Sequence, residues 1–329
     1  MIFNLQALRF LAALAVVYYH TGFGVLGVST EFGAVSVFFV ISGFIMTMIT
    51  RDSADRFFQK RLVRIVPLYW ICTGLYWAMI TLPGGRMQLL ASLLDYGAII
   101  KSMFFVPYVN SAGHYQPILN VGWTLNYEIY FYLIFGLCLM SSQKWAPLLC
   151  SVAVLVLTFV ARLSPNGVAA FYGHDYVLNF VGGIAVYYLS VWIKPSKLSL
   201  SLAAVIIVAY PLQGFLLPHV MGFPEALVLS VIIAEKYRPV LKSRAVMLLG
   251  ASSYAIYLSH FLVLHRYRHD AIHFGLPAFE GSLYAALAVT AASVSVGIFL
   301  HLAIEIPVTR ATRGWLSRTP RVVLSEQRL

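Results

Sequence analysis

The chain has 329 residues, of which 60% are hydrophobic and only 11% are charged, with a formal net charge of +11. Soluble domains carry about a quarter charged residues, so this composition excludes one, and apolar runs along the whole length predict an all-α, polytopic transmembrane bundle. Cys72, Cys138 and Cys150 lie in or beside apolar runs without metal-ligand spacing, which suits packing residues and implies no metal site.

Ten spans are expected, at 5–25, 33–50, 62–82, 120–141, 145–163, 177–193, 198–217, 222–235, 247–265 and 283–305. The first has no basic leader and no small-residue cleavage site, so it reads as an uncleaved span. It carries Arg9 and His20 in LQALRFLAALAVVYYHTG. Eleven positions advance a helix by three turns plus roughly 20°, which puts both side chains on one face about 16 Å apart. Ionisable groups inside a span are costly and mark a pathway or reaction site by default. The bland reading is that Arg9 snorkels to the surface and His20 bonds a neighbouring helix.

The third span opens with FFQKRLVRIVPLYW, where Arg61 and Arg64 lie three apart and share a helical face. Two guanidinium forks suit phosphate, although basic residues at an inner helix end also follow from topology alone. Residues 83–106 form an amphipathic piece expected at the membrane surface. In the fourth span, NVGWTLNYEIYFYLIFG places Glu128 near mid-membrane at a depth similar to His20. A His–Glu pair there is a plausible base with an orienting partner; a structural contact between helices is the alternative. His260 could approach the same region, but a structural role fits it better, and His265, His269 and His273 read as an outer, solvated cluster. Residues 1–307 form one transmembrane domain, and 308–329 a short basic tail.

With the N-terminus in the cytoplasm, 17 lysines and arginines fall on the inner side and five outside, with Arg9 near the inner boundary. This positive-inside bias makes both termini cytoplasmic. It also accounts for the net charge through topology and anionic lipid, with no nucleic acid partner.

The stretches RFLAALAVVYYH, GAVSVFFVISGF, KRLVRIVPLYW and GWTLNYEIYFY, followed by GASSYAIYLSH and HLAIEIP, resemble in order the motifs of acyltransferase family 3. Short length and the GWTLNYEIYFY wording resemble its exopolysaccharide O-acetyltransferase branch. The resemblance implies acetyl transfer from acetyl-CoA to a sugar hydroxyl of a surface glycan or lipid-linked precursor, in a bacterial inner membrane. Membrane lipid and polysaccharide-synthesis proteins are the implied partners. By motif, His20 is catalytic and Arg9 its basic partner. Arg61 and Arg64 handle the CoA phosphates, and Glu128 fills the acidic position of the fourth span. Ser42 and Gly43 match a motif whose small residues could let a pantetheine arm pass. Glu305 and Pro307 match the closing motif, but Ile306 stands where the family often has Arg.

Residues and resemblance together imply that His20 deprotonates the attacking hydroxyl while Glu128 orients the imidazole, with Tyr254, Tyr257 or a backbone amide facing the oxyanion. An acetyl-His20 intermediate fits equally well. The competing class is a transporter or flippase, or a transmembrane acyl carrier serving a separate transferase. No internal repeat supports transport.

Overall fold

The exterior of this chain is as apolar as its interior. On one peripheral helix Val152, Leu155 and Phe159 are all exposed, as are Leu202 and Val205 on another. In water such continuous faces drive association; against lipid tails they are solvated. The computed structural model describes residues 2–23, 31–81, 96–164, 167–210, 222–237, 242–278 and 282–318, and all regular structure among them is helical.

The helices are α1 (Phe3–His20), α2 (Glu31–Asp52), α3 (Phe57–Thr81), α4 (Tyr96–Met103), α5 (Trp123–Ser141), α6 (Ala146–Arg162) and α7 (Val168–Tyr172). They continue as α8 (Leu178–Trp192), α9 (Lys197–Ala209), α10 (Phe223–Tyr237), α11 (Arg244–Ala251), α12 (Ser253–Phe274), α13 (Leu283–Leu300) and α14 (Ile306–Arg318). Nine of the ten expected spans overlap one helix, although residues 24–25, 82 and 211–217 of the expected ranges lie outside the described residues. Three of them (Gly33–Asp52, Phe57–Thr81 and Leu283–Thr312) are long and apolar enough to cross a membrane singly. The α11–α12 pair passes as one span bent by 60°.

The expected ninth span, 247–265, therefore straddles a break. The Ser252 hydroxyl bonds back to the carbonyls of Leu248 and Leu249, and the chain turns there. Residues 96–103 of the expected amphipathic piece form α4, while 83–95 lie outside the described residues. The tail does not begin at a break either. A π-helical turn, His301–Glu305, leads straight from α13 into α14, which packs on α3. Residues 319–329 lie outside the described part.

α1 sits at the centre, packed by α2, α10, α11, α12 and α13. Ala12, Ala13, Val16 and Val17 let these neighbours close on it. Its first N–H groups are held from another helix. The Glu235 carboxylate of α10 accepts from the backbone N–H of Phe3 at 3.0 Å and of Asn4 at 2.8 Å, an anion at the positive end of the helix dipole. At the other end Gly22 takes φ +68°, the left-handed stop that leaves His20 as the last residue of the helix. Two glycines set the closest crossing. A Cβ on Gly43 would fall 2.1 Å from the Phe180 carbonyl oxygen of α8, and one on Gly183 2.1 Å from that of Val40. Small residues at such a crossing let lipid-embedded backbones meet.

Candidate active site

Between α1, α2, α3, α5 and α12 lies a narrow, partly open cavity. Its walls are mostly apolar, with Val35, Phe38, Phe39, Ile41, Ile45 and Met46 from α2 and Leu125 from α5. Its polar groups are Arg9, Ser42, Arg64, Glu128, Tyr132, Ser253 and Tyr254. The few convergent polar groups in an apolar lining fit a small-molecule site.

Arg9 is buried and donates to Gln6 Oε1 at 3.1 Å, one turn back on α1. Its guanidinium lies in the fields of Arg64, Glu305 and Glu128 together. Glu305 is placed there by the π turn, where its carboxylate also takes His301 Nδ1 at 2.7 Å. π turns recur at functional sites because they redirect side chains within a continuous helix. Arg9 thus lies near two carboxylates, of which Glu128 lines the cavity.

Tyr132 organises this end. Lying four residues after Glu128 on α5, its hydroxyl donates to the Glu128 carboxylate. The same oxygen lies 3.3 Å from Ser42 Oγ, and the Arg61 side chain approaches it from α3. The two arginines of α3 consequently have different surroundings. Arg64 faces the cavity, whereas Arg61 is turned behind Tyr132 with its Nε buried and unpartnered.

Several expected relations are replaced. Glu128 does not orient His20: its hydrogen-bond partner is Tyr132, and the cavity that it lines holds Arg9 and Arg64 but not His20. The physical reason is axial offset, since His20 stands at the end of α1, about 16 Å along the helix from Arg9. Gly43 turns away from the cavity to seat α2 on α8, so clearance for an acyl arm is not its structural role. Tyr254 gives its proton to the Ile65 carbonyl at 2.7 Å, which removes it as an oxyanion donor. Pro67 follows two residues later and interrupts the α3 ladder, so this bond ties α12 to α3 near the interruption.

His20 has its own surroundings. Its ring lies 5.2 Å from that of His260 at an interplanar angle of 28°, with Phe261 at its edge. Tyr257 stands between this pair and the cavity. It lines the cavity, packs 6.0 Å from Phe38 and lies 5.9 Å from the His260 ring. Its hydroxyl lies 2.9 Å from Thr124 Oγ1 and 3.0 Å from the Val121 carbonyl, so it too is engaged with α5 and the turn before it. The outer cluster resolves into an Arg266–Asp270 ion pair at 2.9 Å, stacked His269 and His273 rings, and His265 edge-on to Tyr76.

Tyr132 and His260 stand directly beside the expected residues Glu128 and His20. Their signals were the spacing from Glu128 and the YLSH run, which puts His260 one turn after Tyr257.

A helical bundle with broad exposed apolar faces, enclosing a cavity lined by arginines, a carboxylate and hydroxyls, has the character of an integral membrane protein. The profile of the acyltransferase 3 domain matches residues 2–302, and the chain belongs to that acyltransferase family. It is 32% identical over 297 residues to the exopolysaccharide production protein ExoZ of Rhizobium meliloti (strain 1021), covering 85% of this chain and 90% of that protein. Acyltransferase MdmB of Streptomyces mycarofaciens is 29% identical, covering 93% of this chain and 91% of its own. Nodulation protein 10 of Rhizobium leguminosarum bv. viciae is 27% identical, covering 43% and 45%. No solved structure matches the chain.

Proposed function

We propose that this membrane acyltransferase moves an acetyl group from cytoplasmic acetyl-CoA to a sugar hydroxyl of an exopolysaccharide or its lipid-linked precursor. The observation that carries the reading is the cavity that joins Arg9, Arg64 and Ser42 within an acyltransferase-family bundle, connected to His20 through Tyr257 and His260. The relative named for exopolysaccharide production supports the choice of acceptor.

In this reading the chain crosses the bacterial inner membrane ten times with both termini inside, so the start of α1 is cytoplasmic. Arg9 and Arg64 hold the donor phosphates, with Arg61 contributing from behind Tyr132. The thin, uncharged arm lies along the apolar α2 wall and carries the thioester past Phe38 and Tyr257 to the end of α1. There a nitrogen of His20 takes the proton of the sugar hydroxyl, and that oxygen attacks the thioester carbonyl. The intermediate collapses with cleavage of the carbon–sulfur bond, and the imidazolium returns its proton to the leaving thiolate. The products are an acetyl ester and CoA. Glu128 acts at the donor end, where it balances the arginines and sets their geometry. Lipid-linked sugar and the proteins that polymerise it are the partners this chemistry requires.

The test uses purified protein in nanodiscs with radiolabelled acetyl-CoA. Saturable binding weakened by Arg64→Ala, with transfer abolished by His20→Gln while binding persists, is the expected result. Absence of donor binding in the wild type would overturn the proposal and favour a carrier.

A further inference from the structure

His260 is fully buried, and every one of its polar atoms can be accounted for except one. Its Nδ1 lies 2.6 Å from the Tyr257 carbonyl oxygen. A carbonyl only accepts, so Nδ1 carries the proton and donates it, and Nε2 is left as a bare lone pair. That Nε2 is buried with no hydrogen-bond partner. An unsatisfied buried acceptor is costly and rare, and it points to a donor that arrives in another state of the site.

The structure places one such donor alongside. The His20 and His260 rings are 5.2 Å apart and inclined by only 28°. Two imidazoles joined by a ring N–H···N bond of ordinary length have centroids about 5 Å apart and can lie near one plane. Rotation of His20 about its side-chain torsions is enough to bring an N–H onto His260 Nε2.

We infer that His260 is the positioning partner of His20, its Nε2 accepting the His20 ring N–H and stabilising the charged imidazole that forms as the sugar hydroxyl is deprotonated. The inference rests on the reading of His20 as the base. A neutral, tautomer-fixed imidazole suits this depth, because a second carboxylate would have to be desolvated. Among the described side chains, the charged and titratable groups facing the pair include Tyr19 of α1, Tyr76 of α3, and Tyr257, His265 and Arg268 of α12.

The test is nitrogen-15 NMR of imidazole-labelled protein in nanodiscs, comparing wild type with His260→Gln and His260→Phe. Gln keeps an acceptor near the position of Nε2; Phe keeps the ring without one. The expected result is a His260 signal of the Nδ1–H tautomer, with the His20 titration midpoint lowered in His260→Phe and recovered in His260→Gln. In membranes containing the cell's own glycan, acetyl transfer should fall roughly 10- to 100-fold in His260→Phe, part of what a general base supplies. It should recover in His260→Gln, with acetyl-CoA affinity unchanged in both. An Nε2–H tautomer, or equal effects of Phe and Gln on the His20 midpoint, would overturn the inference. Transfer that persists in His20→Gln would instead overturn the base reading, leaving the NMR contact to stand or fall separately.

Discussion

Removing the Tyr132 hydroxyl tests the organisation of the donor end. In Tyr132→Phe the half-buried Glu128 carboxylate loses its hydroxyl donor, while Ser42 and Arg61 lose the oxygen they approach. A hydrogen bond to a charged group contributes about 1.5–3 kcal/mol. A carboxylate released from Tyr132 turns to the donors that share its cavity, the guanidinium groups of Arg9 and Arg64. It then competes with the anion those groups are proposed to hold. Expressed wholly as competition, the loss corresponds to roughly 10- to 100-fold weaker acetyl-CoA binding, at about 1.4 kcal/mol per decade. Equilibrium binding of radiolabelled acetyl-CoA to nanodisc protein measures it directly. Adding Glu128→Gln to Tyr132→Phe should restore most of the affinity, because the amide carries no competing charge, and the cycle isolates the coupling. Unchanged binding in Tyr132→Phe, or no recovery in the double variant, refutes the reasoning.

Arg64→Ala should weaken acetyl-CoA binding about 10-fold or more, and Arg61→Ala distinctly less, since only Arg64 faces the cavity; competition binding separates them. Gly183→Val should destabilise by about 1–3 kcal/mol or more, because even a Cβ there meets the Val40 carbonyl; an unchanged thermal midpoint would contradict the crossing. Glu235→Ala should cost about 1–2 kcal/mol through two uncapped N–H groups of α1, read by thermal unfolding and by faster hydrogen exchange at Phe3 and Asn4. His174, in the loop before α8, is held below the ordinary histidine range mainly by burial, with Arg162 adding to the shift and Asp175 opposing it. The unfolded chain therefore binds the extra proton first, so its contribution is present above about pH 6.5 and lost as pH falls. His174→Gln should flatten the drop in melting temperature between neutral and mildly acidic pH.

Hydrophobic runs made the helices legible, because lipid demands one apolar stretch per span, and each expected stretch overlaps at least one helix. The break inside 247–265 was hidden because Ser252 is a tolerable helical residue whose back-bonding acts only through local geometry. Arg9, Arg64, Ser42 and Glu128 were visible as polar exceptions in apolar surroundings, and the fold brings these four into one cavity. What sequence could not supply was helix tilt and axial offset, and these decide which exceptions meet. Equal depth suggested that His20 faces Glu128; the packing instead gives Glu128 to Tyr132 and His260 to His20. Gly43 shows the same limit, since a small residue beside a site and a small residue at a helix crossing look alike in one dimension.

The most direct test of the account is the O-acetyl content of the exported polysaccharide, measured by proton NMR. The source cell lacking this protein would be complemented with wild type or with His20→Gln at equal membrane levels. The account predicts acetyl esters with the wild type and none with His20→Gln. Acetylation that is unaffected by deleting the protein, or that survives in His20→Gln, would contradict it.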